Sequence, residues 1–361
     1  MKYLALLLSL MISLAGNARQ NPKGPYEVIA YFTGNAATLK QYPLHQLHQV
    51  IFSFLHLSAD TLTFTTPEKR QRLREITALK QQYPHLKILV SLGGWGGCKE
   101  CSPVFAKAES RRNFAASVVR ILKDYNADGI DLDWEYPTIP GHPGHPYSPD
   151  DKNNFTELIK ELRRQMGPAY QLSFAAGGFT QFLEEAVDWK AIMPLVNRVN
   201  LMTYDLVGGY STRTGHHTPL YSCTGQKEST DHCVQWLLKH GVPAKKLVIG
   251  AAFYGRTWVG VDSANNGLFG SGTFNSFVGY RQFNTRLSAD SGYLRHWDPQ
   301  AQAPYLYNPA KKEFATYDDP QSIRLKAAYM KKHKLGGIMF GELTKDAPEG
   351  PLLPAIWEGI N

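Results

Sequence analysis

The stretch Asp128-Gly-Ile-Asp131-Leu-Asp133-Trp-Glu135-Tyr-Pro places acidic residues in strict alternation within an otherwise apolar run. In a β-strand alternate side chains share a face, so Asp131, Asp133 and Glu135 point one way while Ile130, Leu132 and Trp134 point the other. A buried strand gains no stability from a row of carboxylates, because removing unpaired charge from water is costly. A salt-bridged core strand is the structural alternative, but the run itself holds no basic partner. The row fits chemistry better, with one carboxyl group holding a proton that its neighbours make hard to lose.

Such a row needs a frame. Short apolar runs rich in β-formers recur at residues 27–32, 49–55, 87–93, 128–135, 171–176, 198–204, 246–253 and 336–341. Helix-like segments separate them, among them 67–82, 110–125, 151–166 and 230–240, with Asp150 or Asp151 positioned to cap the third. Strands alternating with helices predict an α/β fold, a closed (β/α)8 TIM barrel. The acidic strand is the fourth, and Glu135 falls at its C-terminal end, where barrel enzymes keep their active sites. The gap between the seventh and eighth strands is far longer than a loop and helix need. Residues 257–318, rich in Gly, Tyr, Asn and Phe, are expected to form a small α+β insertion on the catalytic rim. The last barrel helix is expected over 321–333.

The N-terminus has the pattern of a signal peptide. Lys2 supplies the positive start, Tyr3 to Ala15 the apolar stretch, and Gly16-Asn17-Ala18 the small residues for cleavage after Ala18. The apolar run is short for a bilayer span, and no Cys near the cleavage site suggests a lipid anchor. Residues 1–18 are thus read as signal and 19–361 as an exported barrel, extracellular or periplasmic, without a membrane anchor. The formal net charge is +8. Lysines and arginines are scattered rather than gathered in a basic helix or arm, which argues against a nucleic-acid partner. Export makes disulfides plausible, and the two local pairs Cys98–Cys101 and Cys223–Cys233 are expected. Cys98-x-x-Cys101 lacks the further ligands a zinc site needs. His142, His145, His216 and His217 lie in Gly- and Pro-rich loop sequence and are read as ordinary loop histidines, so no metal is expected.

The acidic run also matches the signature D-x-x-D-x-D-x-E of glycoside hydrolase family 18, the chitinase family. Further resemblances follow in order along the chain: Ser91-Leu-Gly-Gly-Trp95, Met202-Thr-Tyr204-Asp205, Phe253-Tyr-Gly-Arg256, Trp297-Asp298 with Ala303-Pro-Tyr305, and Tyr317-Asp-Asp-Pro-Gln-Ser322. The segment from Thr257 to Asp318 resembles the chitinase insertion domain, which forms one wall of the substrate cleft.

The resemblance implies an enzyme that cleaves β-1,4 bonds of chitin or N-acetylglucosamine oligosaccharides; with the signal pattern it is expected to be secreted, and a monomer without cofactor is expected. Glycosidases of this family depart from the two-carboxylate scheme, the substrate's own acetamide oxygen serving as nucleophile. Glu135 would be the general acid. Asp133 would hold the acetamide N–H, Asp131 would share a proton with Asp133, Tyr204 would donate to the acetamide oxygen, and Asp205 would bind the distorted sugar. Tyr31, Phe54 and Met202 would line the floor, and Trp95, Trp258 and Trp297 are candidates for stacking on sugars. Asp128 would serve strand architecture. Gly341 departs from the pattern, since the family usually carries Trp there beneath the sugar being cleaved. Other N-acetylated glycans, an inactive sugar-binding relative and a metal-dependent hydrolase using the acidic row are the alternatives.

Overall fold

The computed structural model describes residues 24–361. The signal-peptide reading lies outside these residues. Its strands are β1 (Glu27–Phe32), β2 (Gln49–Ser58), β3 (Thr61–Thr63), β4 (Lys87–Gly93), β5 (Gly129–Asp133), β6 (Gln171–Gly177), β7 (Arg198–Met202) and β8 (Leu247–Ala252). They continue as β9 (Tyr254–Val259), β10 (Thr273–Gly279), β11 (Leu294–Asp298), β12 (Ala303–Asn308), β13 (Glu313–Thr316) and β14 (Gly337–Gly341). Hydrogen bonding runs β1-β14-β8-β7-β6-β5-β4-β2, and β1 pairs again with β2. Every pairing in that ring is parallel. The fold is therefore the closed (β/α)8 barrel that the alternation of elements predicts.

Both faces of each barrel strand are covered, which is why the strands read as nearly continuous apolar runs. Residues facing the helices form the main core: Ile130 and Leu132 pack there, and Trp134 meets the Phe105 and Phe155 rings. The barrel interior is smaller and mixed, with Ile29, Tyr31, Ile51, Leu89, Ala175, Met202, Val248 and Met339 in one cluster. Asp131, Ser91, Ser173 and Asn200 also lie buried, and their hydrogen bonds converge on Asp131. Asp128 stands at the opposite, N-terminal end of its strand. It accepts from the Ile88 amide at 2.8 Å and pairs with Lys80 at 3.1 Å, which makes it architectural.

The segment between β8 and β14 carries a five-stranded antiparallel sheet in the order β10-β9-β13-β12-β11. It has its own apolar clusters, one around Trp258, Tyr305, Tyr307 and Phe314 and one around Val278, Tyr293, Leu306 and Ala315. The helix Pro320–Lys332 follows, its start fixed by a reciprocal capping box between Asp319 and Ser322. A buried Lys326 ties this helix to Asp318 at 2.6 Å, and Asp318 also accepts from the Ala252 amide, so insertion, helix and β8 are joined at one ion pair. No helix among the described residues is long and apolar enough to cross a membrane.

Two expectations are corrected. Asp150 takes the N-cap position of the helix Asp151–Met166, but its side chain makes no capping hydrogen bond. Asp151 is fully buried and instead accepts from Ser102 Oγ and the Ser148 amide, both at 2.8 Å, and from the Thr138 amide, so it fastens the loop after β5. Cys98 and Cys101 form a disulfide, whereas Cys223 and Cys233 are free thiols. Cys233 is buried on the core side of the helix Thr230–Lys239, while Cys223 sits in a tight turn paired with Gln226, near His216 and Asp298. Nearness in sequence did not bring those two sulfurs together.

Candidate active site

The C-terminal ends of the barrel strands open into a cavity of about 620 Å³. Its walls include Tyr31, Phe54, Trp95, Asp133, Glu135, Tyr136, Met202, Tyr204, Asp205 and Arg256. The alternation in β5 works as expected: Asp131 is deepest, Asp133 lies next, and Glu135 stands at the strand's exit. Gly93 lets β4 approach this strand closely, since a Cβ there would fall 2.2 Å from the Asp133 carbonyl oxygen. That contact and a φ of +107° give the first glycine of Ser91-x-Gly-Gly its physical reason.

Asp131 is wholly buried and has four neutral donors. Tyr31 Oη donates at 2.8 Å, Ser173 Oγ at 2.7 Å, Asn200 Nδ2 at 3.0 Å and Ser91 Oγ at 3.2 Å. Burial raises its pKa and these hydrogen bonds only partly oppose the rise. Asp133 is raised well above the usual range, first by burial, then by the charges of Glu135 and Asp131. A hydrogen bond links Asp133 to Glu135, and burial pushes Glu135 up to about 8. Asp133 and Glu135 therefore titrate as a pair that keeps a proton at neutral pH. The hydrogen bond of Asp133 runs to Glu135, while the Asp131 oxygens accept from the four donors above. Asp133 Oδ1 is buried without a partner, an acceptor on the wall of the cavity.

Asp205 is built differently. It takes a left-handed φ of +56°, a conformation that Asp tolerates better than most residues. Burial alone would raise its pKa, but the Arg256 guanidinium and His217 outweigh that and hold its carboxyl well below the ordinary range. His217 is itself buried, with its Nδ1 accepting from the Asp205 amide at 3.3 Å. Burial and the surrounding carboxylates raise the Tyr204 phenol, so it remains a donor. Among the described residues its hydroxyl finds only the Met339 sulfur, at 3.6 Å, a weak acceptor.

The aromatic candidates divide. Phe54, Met202 and Trp95 line the cavity. Tyr31 does too, but its hydroxyl is committed to Asp131. Trp95 is 45% exposed and meets Tyr136, His142 and Tyr210 at centroid distances of 6.4, 5.4 and 6.4 Å. Trp258 is corrected: it is fully buried in the insertion's core with its indole N–H donating to the Ser211 carbonyl, so no face is left for a sugar. Trp297 lies on edge strand β11 with the Arg295 guanidinium over its ring at 5.6 Å, outside the cavity wall. Sequence reasoning missed Tyr136, Tyr210, Phe274 and Arg256 as wall residues. Arg256 closed a recognised motif, and Tyr136 follows Glu135 directly, so both carried a signal. Tyr210 and Phe274 sit in a loop and an insertion strand without one.

At Gly341 the cavity is open. An added Cβ would meet only Tyr204, its hydroxyl at 3.3 Å and ring carbon Cζ at 3.8 Å. The subsite is thus wider than an aromatic floor would leave it.

A family model for glycosyl hydrolases family 18 matches residues 27–346. The chain belongs to this family. It is 37% identical to chitinase A1 of Niallia circulans over 76% of its length, but spans only 42% of that relative. It is 30% identical to chitinase B of Serratia marcescens, covering 86% of this chain and 75% of the relative. Among solved structures, the family 18 N-acetylglucosaminidase of Paenibacillus barengoltzii aligns with a TM-score of 0.84 and 36% identity, covering 92% of this chain and 99% of that one. The Ostrinia furnacalis group IV chitinase bound to allosamidin aligns with a TM-score of 0.85 at 26% identity, covering 93% and 100%.

Proposed function

We propose that this protein is a chitinase that hydrolyses β-1,4 linkages between N-acetylglucosamine units with retention of configuration. The unpartnered, buried Asp133 Oδ1 beside Glu135, whose carboxyl burial pushes up to about 8, carries the reading. Glu135 transfers its proton to the glycosidic oxygen as the C1–O bond breaks. The acetamide carbonyl oxygen of the same sugar attacks C1 and forms an oxazolinium. Asp133 accepts the acetamide N–H and offsets the positive charge that grows there, while Tyr204 donates to the acetamide oxygen. Asp205 is a poor candidate for a protein nucleophile, since its carboxylate is tied to Arg256. Glu135, now ionised, takes a proton from water, the water oxygen bonds C1, and the ring opens to restore the acetamide.

The experiment is hydrolysis of defined N-acetylglucosamine oligomers, with products resolved by length and anomer. Initial β-anomer products support the reading. Initial α-anomers, or no cleavage of any oligomer, overturn it.

A second reading concerns mode of action. The structural relative named as an N-acetylglucosaminidase aligns at 36% identity, which favours release of short products. Monosaccharide as the first product would select this reading. Export follows from the pattern of residues 1–18 and is consistent with the Cys98–Cys101 disulfide. N-terminal sequencing of the protein from culture fluid should begin at Arg19, and an intact Met1 there would contradict it.

A further inference from the structure

The cavity is acidic although the chain is basic. Asp133, Glu135, Asp205 and Glu342 line it against a single cationic residue, Arg256. A hydrogen bond links Asp133 to Glu135, and Asp205 is ion-paired with Arg256. Glu342 has no such compensation. Its Oε1 accepts from the Thr33 amide and Thr33 Oγ1, both at 3.2 Å, and its Oε2 accepts from Thr344 Oγ1 at 2.6 Å. All three are neutral donors. It pairs with no cation among the described residues. The cations near it are directed elsewhere: Arg281 reaches the Thr344 carbonyl, and Lys345 lies 5.6 Å from the Phe277 ring.

The position of this carboxylate gives it meaning. Glu342 directly follows Gly341, whose missing side chain opens the cavity 3.3 Å from the Tyr204 hydroxyl. It therefore flanks the subsite in which Tyr204 and Asp133 would hold the reactive acetamide, without being part of that acetamide pocket. The Thr33 and Thr344 bonds fix its orientation. A carboxylate offers about four acceptor positions and three are used, so Oε2 keeps one. A sugar hydroxyl could fill it but would leave the charge. An ammonium would fill it and neutralise the charge.

We infer that the cleft is adapted to partially deacetylated chitin, with Glu342 receiving the ammonium of a glucosamine unit next to the N-acetylated unit that reacts. The inference rests on the chitinase reading, because an acetamide is still needed at the cleaved unit. Space at Gly341 and charge at Glu342 are then two parts of one specificity device.

The test uses fully N-acetylated chitotetraose and its isomers carrying one glucosamine unit, with wild type and Glu342→Gln. Glutamine keeps the shape and an acceptor oxygen. For at least one isomer, the ratio of kcat/KM to that of the fully acetylated tetramer should fall about tenfold in the variant. High salt should reduce the same ratio in wild type. Equal losses on all substrates would make Glu342 a hydroxyl acceptor and overturn the inference, as would no loss on any. Calorimetric Kd values for the same sugars give an independent reading. If wild type cleaves none of them the chitinase reading fails, while a tenfold weaker Kd of Glu342→Gln for the glucosamine isomer alone would still support ammonium recognition, and unchanged Kd values would remove both.

Discussion

Two carboxylate sites line the same cavity and solve opposite problems with the same residue type. The β5 row, Asp131, Asp133 and Glu135, is buried among neutral donors and like charges, so its members are driven toward protonation. The Asp205 side chain is 37% exposed, and Arg256 and His217 hold its carboxyl well below the ordinary range. Desolvation by the cavity walls alone would raise all four. The difference lies in whether a cation shares the site, and it divides the labour into a proton store and a fixed negative charge.

The comparison can be broken from the row's side first. Glu135→Gln should lower kcat by at least about 10³-fold while retaining oligosaccharide binding, because the shape survives and the proton does not. Appreciable residual turnover in steady-state assays would place the acid elsewhere. Asp133→Asn should cost about 10²-fold or more in kcat, since the acetamide N–H would lose its acceptor. A rate near wild type would remove the substrate-assisted step.

On the other side, Arg256→Met should leave Asp205 without its cation and raise its pKa. We expect about 10- to 100-fold lower kcat/KM, with a new loss of activity toward low pH as Asp205 becomes protonated. An unchanged acid limb in the pH profile would mean His217 alone keeps Asp205 charged. A smaller effect should come from the wall: Trp95→Ala should raise KM by about three- to tenfold with little change in kcat, as expected for stacking shared by ground and transition states. A selective fall in kcat would instead give Trp95 a role in positioning the scissile bond.

Stability offers a subtler comparison. The Glu135 pKa is raised in the folded state, so its contribution is fully present below about 4.5, the ordinary glutamate value. It is lost as pH rises through about 8. Glu135→Gln should therefore raise Tm more at pH 8.5 than at pH 5, by about 2–4 °C. An equal shift at both pH values would show that the carboxyl is not strained by ionisation.

Much of this was legible in the chain because barrel strands obey a period of two and carry their chemistry at their ends. Asp131, Asp133 and Glu135 could be placed on one face from that period alone, whereas Tyr204 and Met202 were found only through the resemblance to a family motif. Inward-facing Ser91, Ser173 and Asn200 were harder to see as a donor set, since each contributes one bond to Asp131 from a different strand. Trp258 misled for a related reason. A tryptophan near a cleft and a tryptophan in a small antiparallel core have the same local sequence, and only the packing of Phe314 and Tyr305 around the second sheet separates them. Cys223 and Cys233 failed because a helix turned one sulfur into the core while a tight turn held the other away. Glu342 left no motif, as its significance depends on Thr33 at the far end of the chain.

The pH dependence of kcat/KM on N-acetylglucosamine oligomers tests the central claim most directly. A proton stored on the Asp133–Glu135 pair predicts full activity through neutral pH and an alkaline limb near 8, absent from the residual activity of Glu135→Gln. Activity that instead disappears above about pH 5 would mean that Glu135 is ionised in the free enzyme, and would contradict the account.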